Sequence, residues 1–146
     1  MAKSNDHPFV SVVPDANAWL DEICDELEFA DRRDALHALR AALHVLRDRL
    51  SPEQNAHLSA QLPTLIRGIY YEAWRPGEGI HVERRIELYL AEMQRELGNR
   101  SELDPFDAAR TVYTVVQRHV SEGEIVKLTA TLPHQLRILW EPAGSN

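Results

Sequence analysis

Residues 51–70 run SPEQNAHLSAQLPTLIRGIY and residues 121–140 run SEGEIVKLTATLPHQLRILW, and the second stretch lies on the first without a gap at an offset of 70. Both begin with a hydroxyl residue three positions before Gln54 or Glu124, the pattern of a capping box at a helix start. Both then reach a Leu-Pro pair, Leu62-Pro63 and Leu132-Pro133. Proline is tolerated in a first helical turn and breaks a helix interior, so each pair ends one short helix and opens another.

Working outward, the same offset holds from residue 16 against 86 to residue 70 against 140, and 14 of these 55 positions are identical, where average composition gives roughly 4. The shared residues include Leu20/Leu90, Glu22/Glu92, Glu26/Glu96, Leu27/Leu97, Asp34/Asp104, Arg40/Arg110, Val45/Val115, Leu58/Leu128 and Arg67/Arg137. A fixed internal period decides architecture before any local reading. The expectation is an all-α protein, two tandem four-helix repeats with a period of 70 residues, packed into one compact helical unit. Residues 14–142 form the single domain, with repeat one at 15–74 and repeat two at 85–142, and 1–13 and 143–146 are flexible termini.

Within each repeat the apolar residues recur at helical spacing. The first helix covers about 16–28, with Trp19, Leu20, Ile23, Cys24 and Leu27 on one stripe behind Asp15 as N-cap. Its counterpart covers about 83–97 and stops at Gly98. The second covers about 32–50 and, after Asp104 and Pro105, about 105–120. Arg75-Pro76-Gly77-Glu78-Gly79 is the strong turn cluster and hence the linker between repeats. Phe9, Val10, Val12 and Val13 suggest an N-terminal arm docked on the body.

Composition bounds the function. The chain has 146 residues, 44% hydrophobic and 27% charged, with 6 Gly and 8 Pro, so disordered and fibrous classes are excluded. A net charge of -7 opposes a grip on nucleic-acid phosphates or anionic lipid, which need clustered Lys and Arg. No apolar run approaches the roughly 20 residues of a membrane span. One cysteine, Cys24, excludes an internal disulfide and a Cys-cluster zinc site. The start, MAKSNDHPF, lacks the apolar core of a signal peptide, so the expected setting is cytoplasmic and reduced.

The stretches at residues 39–50, 61–74, 118–124 and 132–137 together resemble the bacterial family called domain of unknown function 2267, from about Asp15 to Pro142. The resemblance implies a helical bacterial protein. It implies no reaction and carries over no catalytic residue. Members joined to nucleotide-sensing domains imply signalling or stress roles, and no such domain occurs in this chain.

Candidate sites follow from what the repeat keeps and what it does not. Arg40, Arg67, Arg110 and Arg137 either frame an anionic ligand through bidentate hydrogen bonds or tie helices within each lobe. Glu22/Glu92 and Glu26/Glu96 are candidate partners for those arginines, and their four-residue spacing also suits paired metal ligands. No Glu-x-x-His occurs and the repeat keeps no histidine, so neither a metal nor a cofactor is expected. His37 and His44, seven apart, would share a solvated helix face. Where the repeats diverge, Tyr70, Tyr71, Trp74 and Arg75 either form an interaction surface or cover the joint between lobes. Cys24 sits on an apolar stripe, where a thiol is inert packing. No catalytic constellation is evident. The favoured expectation is a non-enzymatic interaction or regulatory module with a protein partner, and the alternative is a binder or enzyme that recognises an anion through the four arginines. The sequence does not fix the oligomeric state.

Overall fold

The computed structural model describes residues 7–28, 30–98 and 102–142. Among the described residues it is all-helical and holds no strand. In chain order, α1 is Val12–Glu26, α2 Arg32–Arg47, α3 Pro52–Ser59, α4 Thr64–Tyr70, α5 Ile86–Leu97, α6 Pro105–His119 and α7 Glu122–Thr131, with 3-10 turns at Pro8–Ser11, Pro76–Glu78 and His134–Trp140.

The centre is α2 against α6. Both are rich in small residues where they are buried, Ala35, Ala38, Ala41 and Ala42 on one and Ala108, Ala109 and Thr111 on the other. Leu39, Leu43 and Leu46 interleave with Val112, Val115 and Val116 in the same cluster, each side chain contributing roughly 1.5–3 kcal/mol of burial. Helix α1 packs on both α2 and α6, and α5 packs on both α6 and α2, so the four long helices close one shared core. The short elements sit around it: α4 on α1 and α2, residues 134–140 on α6, and α3 against α7.

Helix starts follow local chemistry. Ser51 makes the full capping box, accepting from the Gln54 amide at 3.1 Å while its own amide donates to Gln54 Oε1 at 2.8 Å. Ser121 accepts from the Glu124 amide at 3.3 Å, but its own amide donates to Gln61 Oε1 at 2.7 Å, so the second half of the box comes from the other stretch. Asp31 and Asp34 cap α2 reciprocally, whereas Asp104 is itself the N-cap of α6. The identical pair Asp34/Asp104 therefore fills two different helix positions.

Several expectations are corrected. Helix α1 begins at Val12 after Ser11, placing Asp15 in its first turn rather than at its cap. The last segment, expected as an α-helix, is a 3-10 helix over His134–Trp140, and Gln117 Nε2 donates to the carbonyl of its last residue, Trp140, at 3.0 Å. Of the residues expected to dock as an N-terminal arm, Phe9 is 82% exposed and Val10 and Val13 are exposed too, while Val12 is half-buried at the start of α1. Gly98 does end α5, at φ +81°. Residues 1–6 and 143–146, expected to be loose, lie outside the described residues. Among the described residues no helix is long and apolar enough to cross a membrane.

Candidate functional site

The four glutamates shared by the two stretches face helices from the opposite stretch. Glu22 on α1 accepts from Arg118 Nη1 at 3.1 Å and pairs with His119 Nε2 at 2.6 Å, both at the end of α6, and Glu26 also accepts from Arg118. Glu92 on α5 accepts from Arg49 Nη1 at 2.6 Å, just past α2, and lies 3.5 Å from His81. Glu96 lies 3.4 Å from His44 on α2. These partners differ from the expected ones, because none of Arg40, Arg67, Arg110 and Arg137 is among them. The aromatic at the matching position completes each cluster: His119 stacks on Trp19 at 4.8 Å, and the Arg49 guanidinium lies over Tyr89 at 4.6 Å. Burial pushes the Glu22 carboxyl up, but the hydrogen bonds and charges of His119 and Arg118 outweigh it and hold it below its ordinary value.

The structure does not gather the four arginines around one point. Arg40 Nε donates to the Glu72 carboxylate at 2.8 Å, and Arg110 Nη2 donates to the carbonyls of Glu141 and Pro142 at 3.1 and 2.7 Å, so both fasten a central helix to the segment after the fourth helix of their stretch. Arg137 donates to the carbonyls of Leu132 and Ala130 at 3.3 Å. Arg67 is exposed on α4. Arg110 Nε is buried without a hydrogen-bond partner, beside a cleft of about 510 Å³ whose lining includes Glu26, Glu28, Glu102, Asp104 and Asp107.

The aromatic segment divides. Tyr70 is fully buried, contrary to its expected place on a surface, because its hydroxyl donates to the side-chain carbonyl of the equally buried Asn55. Asn55 in turn donates to the Arg47 carbonyl at 3.1 Å, and Arg47 Nη1 donates to the carbonyls of Tyr70 and Glu72 at 2.8 and 2.7 Å. Tyr71 is half-buried, its hydroxyl 2.7 Å from Ser59 Oγ, and its ring lies 5.2 Å from that of Trp74. Beyond Ala73, which adopts φ +56°, Trp74 turns outward.

Trp74 lines a cleft of about 480 Å³ with Leu50, Pro52, Pro76, Ile80 and Val82. Trp19 and Trp140 are buried, whereas Trp74 is only half-buried and Val82 is 83% exposed. Arg75 is exposed beside Glu78 at 3.6 Å. The strap holding Ile80 and Val82 is fastened by the His81 amide, which donates to the Asp48 carbonyl at 2.8 Å. Sequence reasoning missed Asn55, Arg47, Ile80 and Val82. The signal for Asn55 was its substitution by Ile125 in the other stretch; the strap has no counterpart there at all.

Cys24 is half-buried beside the core, and burial raises its thiol further. His37 is exposed while His44 is buried, so the two do not share a solvated face. Among the described residues no three His, Cys, Asp or Glu side chains are grouped so as to hold a metal ion. The chain matches the family model described as "Uncharacterized conserved protein (DUF2267)" over residues 16–139. No curated protein matches it.

Proposed function

The chain belongs to the DUF2267 family, and from that premise we propose that it is a non-enzymatic interaction module, cytoplasmic and bacterial, built from two tandem four-helix repeats of period 70. The repeat reading is supported by element starts: α3 and α7 begin at residues 52 and 122, and α4 and the last 3-10 segment at 64 and 134. The observation that carries the functional reading is the Trp74 cleft, where a half-buried indole stands among prolines and exposed aliphatic side chains. Aromatic anchors set in a pocket with an apolar rim dominate protein recognition energetics. The partner is an apolar segment of another protein, seated between Trp74 and the Ile80–Val82 strap.

Purified partner from the source organism, identified by affinity capture and then titrated calorimetrically, tests this. Trp74→Ser and Val82→Ser each weaken binding tenfold or more, by the roughly 1.4 kcal/mol or more expected of an anchor, and Arg137→Gln leaves it unchanged. Unaltered affinity in both cleft variants refutes the surface. The anion-binding alternative through Arg40, Arg67, Arg110 and Arg137 keeps the unpartnered Arg110 Nε as its support, but the acidic lining beside it opposes an anion. A thermal-shift series with phosphorylated metabolites checks it.

A further inference from the structure

Arg49 leaves one edge of its guanidinium without a partner. The side chain is 6% exposed. Its Nη1 donates to the Val45 carbonyl at 2.9 Å and to Glu92 Oε2 at 2.6 Å, and the group lies 4.6 Å over the Tyr89 ring. Nε is buried with no acceptor, and Nη2 makes no hydrogen bond among the described residues. Nε and Nη2 together form the edge with which arginine grips a carboxylate in a fork. A buried donor without an acceptor is costly, and an acceptor from outside the chain removes that cost.

Arg49 lines a cleft of about 370 Å³ whose walls include Ile80, Val82, Leu132 and Pro133. That volume lies within the range of small-molecule sites. The charged groups around it are Arg49, Arg84, Glu83 and Glu92, with His81 3.5 Å from Glu92. Glu92 is paired with Arg49, and Glu83 Oε1 accepts from the amides of Arg84 and Arg85 at 2.9 and 3.0 Å. Arg84 is exposed and makes no ion pair among the described residues. Two guanidiniums against two carboxylates admit a ligand with one negative charge, whereas a dianion would meet Glu83 and Glu92 with too little to offset it. The other stretch has no such edge: His119 stands at the 70-residue offset from Arg49 and its Nε2 pairs with Glu22 at 2.6 Å.

We propose that this cleft binds a small aliphatic monocarboxylic acid, its carboxylate on the Nε–Nη2 edge of Arg49 and its hydrocarbon chain against Ile80, Val82, Leu132 and Pro133. Nη2 meets the carboxylate first, and Nε completes the fork as the strap gives way slightly. The strap has the freedom to do so, because residues 80–84 are non-helical and, among the described residues, their one main-chain bond to the body runs from the His81 amide to the Asp48 carbonyl at 2.8 Å. The site does not rest on the Trp74 docking reading, although both clefts use Ile80 and Val82.

Titration of the whole chain with isocaproate, followed by proton–nitrogen-15 NMR, tests this. The Arg49 Nε–H resonance moves downfield as the acid is added, with a Kd of about 1 mM or tighter, and neither isocaproamide nor inorganic phosphate moves it. Affinity in variants is read from the backbone amides of the strap. Arg49→Lys keeps the charge beside Glu92 but lacks the fork, and binds at least about tenfold more weakly. Ile80→Ser alters only an exposed side chain, so it folds whether or not Arg49→Lys does, and weakens binding about fivefold by removing apolar contact. An Arg49 Nε–H that stays in place at about 10 mM isocaproate, equal binding of the amide, a shift caused by phosphate, or wild-type affinity in either variant overturns the proposal. Unchanged partner affinity in Trp74→Ser and Val82→Ser instead overturns the docking reading and leaves this site standing.

Discussion

The Tyr113 hydroxyl on α6 donates to the Ala42 carbonyl on α2 at 2.8 Å, across the centre of the core. That spends its one proton, so the contact between the Tyr89 and Tyr113 hydroxyls, 2.5 Å apart, has Tyr89 as donor. Burial raises both phenols, Tyr89 to about 12 and Tyr113 well above its ordinary value, so both stay neutral at any working pH. Tyr113→Phe strands the Tyr89 proton, while the Ala42 carbonyl, inside α2, keeps its helical bond from the Leu46 amide. Tyr89→Phe strands no donor, because Tyr113 keeps its acceptor. Denaturant unfolding should show Tyr113→Phe costing about 1–3 kcal/mol and Tyr89→Phe about 1 kcal/mol or less. Equal costs would contradict the assigned direction.

The buried pair Tyr70–Asn55 stands, at the 70-residue offset in sequence, against Trp140 and Ile125. Either partner alone is expensive to remove, since Tyr70→Phe leaves an unpaired amide oxygen and Asn55→Ile an unpaired hydroxyl. Each should cost about 1–3 kcal/mol. The double variant should cost less than the two summed, by about 0.5–3 kcal/mol, in a double-mutant cycle. Additive losses would show that the two side chains do not depend on one another.

Ala73 holds φ +56°, a left-handed conformation that costs an L-residue roughly 1–2 kcal/mol. Ala73→Gly relieves that strain and gives back part of it as unfolded-chain entropy. The expected net gain is up to about 1 kcal/mol, or a rise of about 2–4 °C in Tm. Gly98→Ala, at φ +81° with open space around the added carbon, should shift Tm the other way by a similar amount through backbone strain alone.

Glu22 sets an acid limit. Its carboxyl lies below the ordinary value in the folded protein, so the folded state releases that proton more readily than the unfolded chain. The stability it contributes is fully present above the unfolded value of about 4.3 and is lost as pH falls through the lowered folded value. The pair is partly exposed, so Glu22→Gln should cost about 1 kcal/mol or less at neutral pH. It should cost nothing near pH 2, where wild type and variant converge in urea midpoint. A gap that persists at that pH would assign the loss to packing instead.

The helices were legible because their signals are local: Ser51 and Ser121 with their N3 partners, the two Leu-Pro pairs, Gly98, and apolar stripes at 3.6 spacing. Boundaries failed where context overrode propensity. Val12 and Val13 extend α1 past Asp15, and residues 134–140 tighten to 3-10 while Gln117 takes the Trp140 carbonyl. Of the candidate site, Trp74 was legible as a large aromatic where the two stretches diverge. Tyr70 was not, because whether a phenol faces water depends on Asn55, fifteen residues away, and sequence spacing does not show that a polar partner is waiting inside. The partners of Glu22 and Glu92 were equally hidden, since pairing across the bundle depends on how α1 meets α6 and α5 meets α2.

That crossing has a consequence for how the chain is held in one piece. Each outer helix, α1 or α5, leans on both central helices, so the segments before and after the Arg75–Gly79 turn are not two beads on a string. A protease that nicked the chain there would leave two fragments still clasped by one another's ion pairs and aromatic stacks. Neither would carry a closed interior of its own if they were drawn apart.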